Sequence, residues 1–168
     1  DQGMDYEKLL AYSKKADALM VFMPDKVDEA LLGHCSKLRI VACALKGYDN
    51  IDVDACTRHG VWVSIVPDLL STPTADLAVG LLLAITRKIV EGDRFVRSGS
   101  FRGWRPLLYG SGLEGKTAGI VGFGKVGQLI ARRLKAFEMK LCCADPAEID
   151  SEVLGEMGVK KIGFEELV

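Results

Sequence analysis

The sequence predicts an α/β protein with parallel β-sheets, and two observations carry that prediction. Short apolar runs alternate along the chain with segments of helical periodicity, a pattern typical of parallel strands joined by crossover helices. One apolar run leads directly into the spacing Gly-x-Gly-x-x-Gly, formed by Gly122, Gly124 and Gly127, and a helical pattern follows these glycines. The chain is therefore predicted to form two domains, over residues 1–70 and 71–168.

Strands and short helices alternate in the first predicted domain. The strands are apolar runs that end at a proline or a polar turn, and the helices begin at an aspartate or asparagine cap. In chain order, the predicted elements are a helix over 5–15, a strand over 18–23, a helix from Asp25 through Cys35, a strand over 38–45, a helix over 51–59 capped by Asn50 or Asp52, and a strand over 61–66. These three strands are expected to form a small parallel sheet.

A long apolar helix opens the second predicted domain. Thr72 and Pro73 suit its N-cap and first helical position, and its apolar series continues to about Arg97. Because its first half is apolar nearly all round, we expect that half to be buried, between domains or against a second subunit. The later predicted elements are an irregular segment over 98–112, strands over 118–121, 141–144 and 159–162, helices after Gly124 and over 151–157, and a further element from Phe164.

The glycine spacing has a physical rationale. Gly122 permits the tight turn out of the strand, Gly124 lets a pyrophosphate approach the backbone, and Gly127 lets the helix lie close to the sheet. The N-terminus of the following helix offers free N–H groups to phosphates. Asp145 ends the next apolar run, where a carboxylate would accept the ribose hydroxyls of NAD and repel the 2′-phosphate of NADP. The pattern predicts NAD binding, with an ordinary strand–helix turn as the alternative.

Composition and charge exclude several classes of protein. The net charge is −1 and no basic stripe is present, so binding to nucleic acid or to a membrane surface has no electrostatic support. The longest apolar run, 77–85, is too short to span a bilayer, and no signal peptide opens the chain. The five cysteines include no Cys-x-x-Cys, which favours free thiols in a reducing cytoplasm. His34 and His59 show no ligand spacing, so no metal site is expected.

Four stretches of the chain resemble the D-isomer-specific 2-hydroxyacid dehydrogenases. They are residues 48–53, 66–68, 74–78 and 113–127. The resemblance covers essentially the whole chain and implies a flavodoxin-like substrate domain followed by a Rossmann NAD-binding domain, both partial, in a cytoplasmic homodimer. Within the family, the chain is most similar to the branch that oxidises phosphite to phosphate with NAD, the phosphonate dehydrogenases, on the segments 22–25, 43–50, 95–99 and 101–110.

The resemblance also implies roles for individual residues. Lys46 would bind the anionic substrate and lie against the cofactor, and Met23 would line the substrate site. Thr74, Lys125 and Val126 would contact the cofactor together with the three glycines, and Asp145 would select NAD.

The residues themselves support Lys46 more strongly than Met23. Lys46 follows an apolar strand at the carboxyl end, where ligands bind in open α/β sheets, although an arbitrary loop lysine is usually only solvated. A doubly charged phosphite needs more positive charge than a monocarboxylate does. A methionine at a strand end, such as Met23, more often fills a core. Trp104 and Tyr109 could equally line the site or belong to an aromatic loop that covers the core.

Several features of the family are absent from the sequence. Its catalytic arginine, acidic residue and histidine lie in Arg-Gly-x-x-Val-Asp and Pro-His-Ile-Gly motifs, and neither motif occurs here. The family also begins with an earlier strand. The chain is therefore expected to be a fragment truncated at both ends and inactive alone. Two alternatives to phosphite oxidation stay open: a 2-hydroxyacid dehydrogenase of the glycerate or hydroxypyruvate type, and an NAD-sensing corepressor, a role found in one branch of the family.

Overall fold

A computed structural model describes residues 4–168 of the chain. The chain divides into two compact units, one ending at Leu69 and the other beginning at Leu70. Within the described residues, each unit contains a three-stranded sheet in which all neighbouring strands are parallel. The predicted α/β class is therefore confirmed.

In the first unit, a central strand lies between two others. The elements are α1 (Tyr6–Ser13), β1 (Ala18–Val21), α2 (Glu29–His34), β2 (Ile40–Cys43), α3 (Val53–Arg58) and β3 (Trp62–Ser64). The sheet order is β1-β2-β3, and the core is formed by apolar side chains from both the strands and the helices, including Val21, Leu31, Val41 and Cys56. Asp52 caps α3 through a hydrogen bond from the N–H of Ala55, at 2.8 Å, which decides between the two predicted caps.

The second helix begins later than the sequence predicts. It starts at Glu29, with Asp28 as the cap that accepts the N–H of Leu31 at 3.0 Å. Asp25, the predicted cap, instead accepts the N–H of Phe22 through Oδ2. Residues 25–27 stay outside the helix because Val27 forms a parallel bridge with a residue that follows β2.

The second unit has the same strand–helix alternation. Its elements are α4 (Ser71–Thr86), α5 (Ile89–Arg97), β4 (Thr117–Val121), α6 (Lys125–Lys135), β5 (Lys140–Ala144), α7 (Ser151–Met157), β6 (Val159–Lys161) and α8 (Phe164–Leu167). The sheet order is β4-β5-β6. Helix α4 packs against α6, and Arg133 Nε lies 2.6 Å from Asp76 Oδ1 across that contact.

The single long helix predicted to reach about Arg97 is in fact two helices. The chain breaks at Lys88, which adopts a left-handed conformation with φ of 52°. The carbonyl of Thr86 accepts the N–H of Ser111 at 2.8 Å, and the backbone at Gly110 lies so close that an added Cβ would be 2.2 Å from that carbonyl oxygen. A distant loop therefore occupies the carbonyl that a continuous helix would use. The start also differs, because Leu70 holds the N-cap position without a side-chain hydrogen bond.

The apolar first half of that segment is exposed on one face in the single chain, and its predicted burial between domains or against a second subunit stays a prediction. Within the second unit, Ala75 and Val79 are buried on the face of α4 that includes the contact with α6. Leu77, Leu81 and Ile85 keep 62%, 54% and 76% of their surface exposed. We call these three side chains the α4 apolar face.

Three further observations bear on the predicted function classes. Among the described residues, no helix combines the length and the apolar character needed to cross a bilayer. No group of three or more His, Cys, Asp or Glu side chains within residues 4–168 is arranged to hold a metal ion. All five cysteines are free thiols, as expected from the sequence.

Candidate functional site

The glycine turn after β4 has the geometry that its sequence predicts. Gly122 adopts φ of 85°, which favours glycine, and its N–H donates to the carbonyl of Ala144 at 2.9 Å. A Cβ added at Gly127 would lie 2.2 Å from the carbonyl oxygen of Gly122, so only glycine lets α6 approach the turn this closely. The turn is thereby held to both β4 and β5.

The space in front of α6 is open. No heavy atom lies within 4 Å of the position where a Cβ of Gly124 would be, and no side chain caps the first turn of the helix. Lys125 and Val126 are the first two helical residues, and their side chains are exposed and half-buried, respectively. Backbone N–H groups at such an end, together with the helix dipole, can bind a phosphate.

Asp145 is held at the end of β5 by two backbone groups. Its Oδ2 accepts the N–H of Phe123 at 2.6 Å and its Oδ1 accepts the N–H of Ala147 at 2.8 Å. These hydrogen bonds, the one from Phe123 first, hold the pKa of Asp145 below its ordinary value, with a smaller contribution from the charge of Lys161. Each carboxylate oxygen keeps further acceptor capacity, so an ionised Asp145 can still accept hydroxyl groups.

An open groove of about 850 Å³ runs beside this carboxylate. Gly122 and Asp145 contribute to its lining, together with Ile162 and Phe164 after β6. Lys161 also lines it, with its Nζ donating to the carbonyl of Ala147 at 2.6 Å. A glycine turn with open space for phosphate, an uncapped helix terminus and an oriented carboxylate beside a groove together fit a dinucleotide.

Thr74 is the one predicted cofactor contact that lies outside the turn and the strand ends. It is exposed in the first turn of α4, in the same unit as Asp145. Thr74 is not one of the described residues that line the groove, so its role stays a prediction.

The candidate substrate residues of the first unit lie on two neighbouring loops. Met23 follows β1 with 45% of its surface exposed, and Lys46 is exposed on the loop that follows β2. A Cβ added at Gly47 would lie 3.8 Å from Met23 Sδ, so the two loops meet beside Lys46. Because β1 and β2 are parallel neighbours, both residues lie at the carboxyl edge of one sheet. The exposure of Met23 argues against its being core filler.

The two histidines hold structural positions on the surface of the first unit. His34 Nδ1 lies 2.6 Å from the carbonyl of Ala30 within its own helix. His59 Nε2 lies 2.6 Å from Glu29 Oε1, and Arg58 binds the other oxygen of that carboxylate. Neither ring is on the two loops that carry Met23 and Lys46.

Trp104 and Tyr109 are exposed in the second unit. They keep 84% and 70% of their surface accessible, so they do not cover the core of that unit. Sequence reasoning missed the role of Asn50, which it considered only as a helix cap. Its side chain instead bridges to the carbonyls of Phe22 and Asp25, a contact between residues distant in sequence that no local pattern signals.

A family model described as the catalytic domain of D-isomer specific 2-hydroxyacid dehydrogenases matches residues 1–163. The chain is 46% identical over 165 residues to a glyoxylate reductase of Thermococcus litoralis, which covers 95% of this chain and 50% of that protein. It is 48% identical over 140 residues to a glyoxylate reductase of Pyrococcus furiosus, covering 80% and 42% of the two proteins. The chain thus spans about half the length of the curated relatives it matches.

Solved structures show the same fold. The TT0316 protein of Thermus thermophilus superposes with a TM-score of 0.91 at 32% identity, covering 98% of this chain and 51% of that one. A D-lactate dehydrogenase of Aquifex aeolicus, solved with NAD and lactic acid, superposes with a TM-score of 0.82 at 26% identity, covering 94% and 46%. The prediction that the cofactor is NAD is confirmed by these relatives, one of which was solved with NAD.

Proposed function

The chain belongs to the D-isomer-specific 2-hydroxyacid dehydrogenase family, and from that membership we propose that it is part of an NAD-dependent oxidoreductase that oxidises phosphite to phosphate. The observation that carries this proposal is Lys46. Its side chain is exposed at the carboxyl edge of the first sheet, and it forms no salt bridge with any residue between 4 and 168. An unpaired ammonium group is suited to a small anion with more than one negative charge.

The cofactor would be held by the second unit. Gly122, Gly124 and Gly127 leave room for its pyrophosphate at the start of α6, and Asp145 would accept the ribose hydroxyls. When bound, NAD supplies the acceptor for the hydride that leaves phosphorus. Thr74, Lys125 and Val126 are further proposed contacts in the same unit as the glycine turn, and Lys46 of the first unit is the last.

Oxidation of phosphite breaks a P–H bond with both its electrons and forms a P–O bond from water. A general base must take the proton that the water loses. Lys46 would neutralise the charge that phosphite and the developing phosphate carry, and its exposed position lets the ammonium reach a bound anion. The base is neither His34 nor His59, because each of these rings is engaged on the surface formed by α2 and α3. The family's motifs that carry the catalytic arginine, acidic residue and histidine do not occur in these residues, so we expect residues 1–168 alone to show no turnover.

Reduction of glyoxylate, or oxidation of a related 2-hydroxy acid, is the second candidate. Curated relatives that are 39% to 48% identical to this chain are named glyoxylate reductases. Lys46 would then bind a monocarboxylate, for which one ammonium group is also a sufficient counter-charge.

The assembly is proposed from the α4 apolar face. Three large aliphatic side chains exposed along one helix suit burial against a second copy of the chain, as in a homodimer. A cytoplasmic location accords with the five free thiols, since a reducing compartment keeps cysteines unpaired.

One assay separates the candidate reactions. The full-length protein is mixed with NAD and phosphite, beside a panel of D-2-hydroxy acids, and NADH is followed by absorbance; glyoxylate with NADH tests the reverse direction. Rapid NADH formation with phosphite alone would support the first proposal. Activity only with glyoxylate or a hydroxy acid would exclude phosphite and support the second candidate. NAD binding without any turnover would favour a sensing role.

A further inference from the structure

Two loops of the first unit are tied together at the edge of the sheet that carries Lys46. The β1 loop comprises residues 22–27, and the β2 loop comprises residues 44–51. Their backbones meet where the N–H of Val27 donates to the carbonyl of Asn50 at 2.9 Å. The N–H of Asp52 returns a bond to the carbonyl of Val27 at 2.8 Å. The far ends of the two loops are therefore joined like a short parallel ladder.

The side chain of Asn50 makes a second connection. Its Nδ2 donates to the carbonyl of Phe22 at 3.0 Å and to the carbonyl of Asp25 at 2.6 Å. The same two residues close a turn, because the N–H of Asp25 donates to Phe22 at 3.0 Å and the carboxylate of Asp25 accepts the N–H of Phe22 at 2.8 Å. Met23 lies within this turn. The Asn50 amide thus clamps the turn that presents Met23.

The acceptor half of the same amide is left unpaired. Asn50 Oδ1 is buried and finds no hydrogen-bond partner among the described residues. The hydrogen bonds that Asn50 makes to the protein through its side chain are therefore the two donor bonds, and both hold the β1 loop.

The backbone next to Lys46 is also held in place, by a hydrogen bond within the β2 loop. Cys43 Sγ donates to the carbonyl of Gly47 at 3.2 Å, and Gly47 lies next to Met23 Sδ. Lys46 is thus placed between a backbone anchored by Cys43 and a neighbouring turn anchored by Asn50. Displacement of either loop would move the ammonium group relative to Met23.

We propose that Asn50 is a positioning residue for the anionic substrate, because its side-chain amide holds the Met23 turn against the loop that carries Lys46. This inference rests on the proposed function, in which Lys46 binds the substrate anion. Asn50 acts through the two loops and touches no reacting atom. Loss of the clamp should weaken capture of the substrate and leave the cofactor site of the second unit unchanged.

The test is Asn50→Asp in the full-length protein. The change keeps the shape of the side chain but turns the donor nitrogen into an oxygen that faces two carbonyls. We expect the KM for phosphite to rise about tenfold or more, because small displacements of binding groups have large kinetic effects, while the KM for NAD stays the same. Leu9→Ala is the control, since it destabilises the core of the same unit away from both loops.

Hydrogen exchange provides a readout that is independent of turnover. Asn50→Asp should speed amide exchange in 22–27 and 44–51, whereas Leu9→Ala should not act selectively on these two segments. Asn50→Ser, which keeps one donor, is the second variant if the aspartate protein fails to fold, and it should show a smaller effect of the same kind.

The outcomes distinguish a failure of the Asn50 proposal from a failure of the proposed substrate. If the wild-type protein uses glyoxylate rather than phosphite, the same comparison of KM values is made with glyoxylate. If it turns over neither substrate, the proposed function fails, and selective exchange in the two loops would still support the clamp. The proposal for Asn50 would be overturned by any of three results. They are an unchanged substrate KM in the Asn50→Asp protein, an equal change of KM in the Leu9→Ala protein, and unaltered amide exchange in both loops.

Discussion

Asp145 accepts the backbone N–H of Phe123 at 2.6 Å, so the carboxylate at the end of β5 is fixed to the glycine turn that follows β4. Strand β5 pairs with β4 in parallel, which brings their carboxyl ends together. The carboxylate of Asp145 and the glycine turn, the two proposed parts of the cofactor site, are therefore held together. This relationship makes the charge of Asp145 the feature to change first.

Asp145→Asn should reduce the preference for NAD over NADP. The substitution keeps the side-chain shape but removes the negative charge that would repel a 2′-phosphate. The ratio of kcat/KM with the two cofactors measures the effect in the full-length protein, and we expect it to shift toward NADP by about tenfold. Asp150→Asn, at the cap of α7 in the same unit, is the matched control. An unchanged cofactor ratio would exclude Asp145 from the ribose site.

Gly127→Ala should damage the cofactor site and the fold of the second unit. The new Cβ would lie 2.2 Å from the carbonyl oxygen of Gly122, so backbone must move. We expect a loss of about 1–3 kcal/mol in the free energy of unfolding, measured with urea, and weaker NAD binding by calorimetry.

Gly155→Ala, on α7, is the control for Gly127→Ala, because its added Cβ meets open space. No heavy atom lies within 4 Å of its added Cβ, so this variant should gain up to about 1 kcal/mol from better helix propensity. A tolerated Gly127→Ala protein with normal NAD affinity would contradict the close approach of α6 to the turn.

Lys46→Ala should raise the KM for phosphite sharply, because the anion would lose its counter-charge in the first unit. An increase of about 10- to 150-fold is expected, since a hydrogen bond to a charged group is worth about 1.5–3 kcal/mol. Steady-state kinetics with saturating NAD provide the measurement. Lys15→Ala, an exposed lysine of the same unit away from the two loops, should leave the KM unchanged. Equal KM values for both variants would remove Lys46 from the substrate site.

Ile85→Asp should convert the proposed homodimer into monomers. Ile85 is 76% exposed on the α4 apolar face, and a charge there would be buried without a partner in any interface that covers this face. Light scattering on the full-length protein at micromolar concentration measures the mass. Glu156→Lys, exposed on α7, is the control for altered surface charge. A dimeric Ile85→Asp protein would show that the interface lies elsewhere.

Tyr6 provides a prediction about alkaline stability. A hydrogen bond from its hydroxyl to Asp28 Oδ1 at 2.5 Å raises the pKa of Tyr6 from 10.0 to about 12, with burial and the charge of Asp28 as smaller causes. Above pH 10 the unfolded chain releases this proton while the folded protein retains it, so rising pH favours unfolding. The contribution of the bond is complete below pH 10 and is lost between pH 10 and about 12.

Comparison with Tyr6→Phe isolates this contribution. The difference in urea stability between the wild-type protein and the variant should be constant at neutral pH and shrink over the alkaline range. A difference that stays constant to pH 12 would mean that Tyr6 ionises alike in both states.

The parts of the fold that the sequence predicted correctly depend on neighbours in the chain. Gly122 and Gly127 are five residues apart, and the turn that they form is decided by local backbone geometry. The strands and short helices follow from apolar periodicity in the same way. The turn and Asp145 were therefore visible in the sequence, including their order on β4 and β5.

The parts that it missed depend on distant residues. The break at Lys88 accompanies the hydrogen bond from Ser111 to Thr86. The Asn50 side chain bonds to Asp25 and Phe22, which lie 25 and 28 positions earlier in the sequence. Periodicity showed that the segment after Leu70 is apolar but not which of its faces meets α6. Contacts of this kind carry no signal in a local window, because each requires knowing where another segment of the chain lies.

The bond between Ser111 and Thr86 has a consequence for how this chain tolerates change. The chain leaves α4 at Thr86, and Ser111 returns to bond to the carbonyl of Thr86. Helix α5 and the segment after it therefore form an excursion, a loop whose two ends are joined by this hydrogen bond. Insertions or deletions inside 89–109 need not alter the start of β4, because both ends of the excursion are anchored at one point. We therefore expect this region to accept changes in length or an inserted peptide tag.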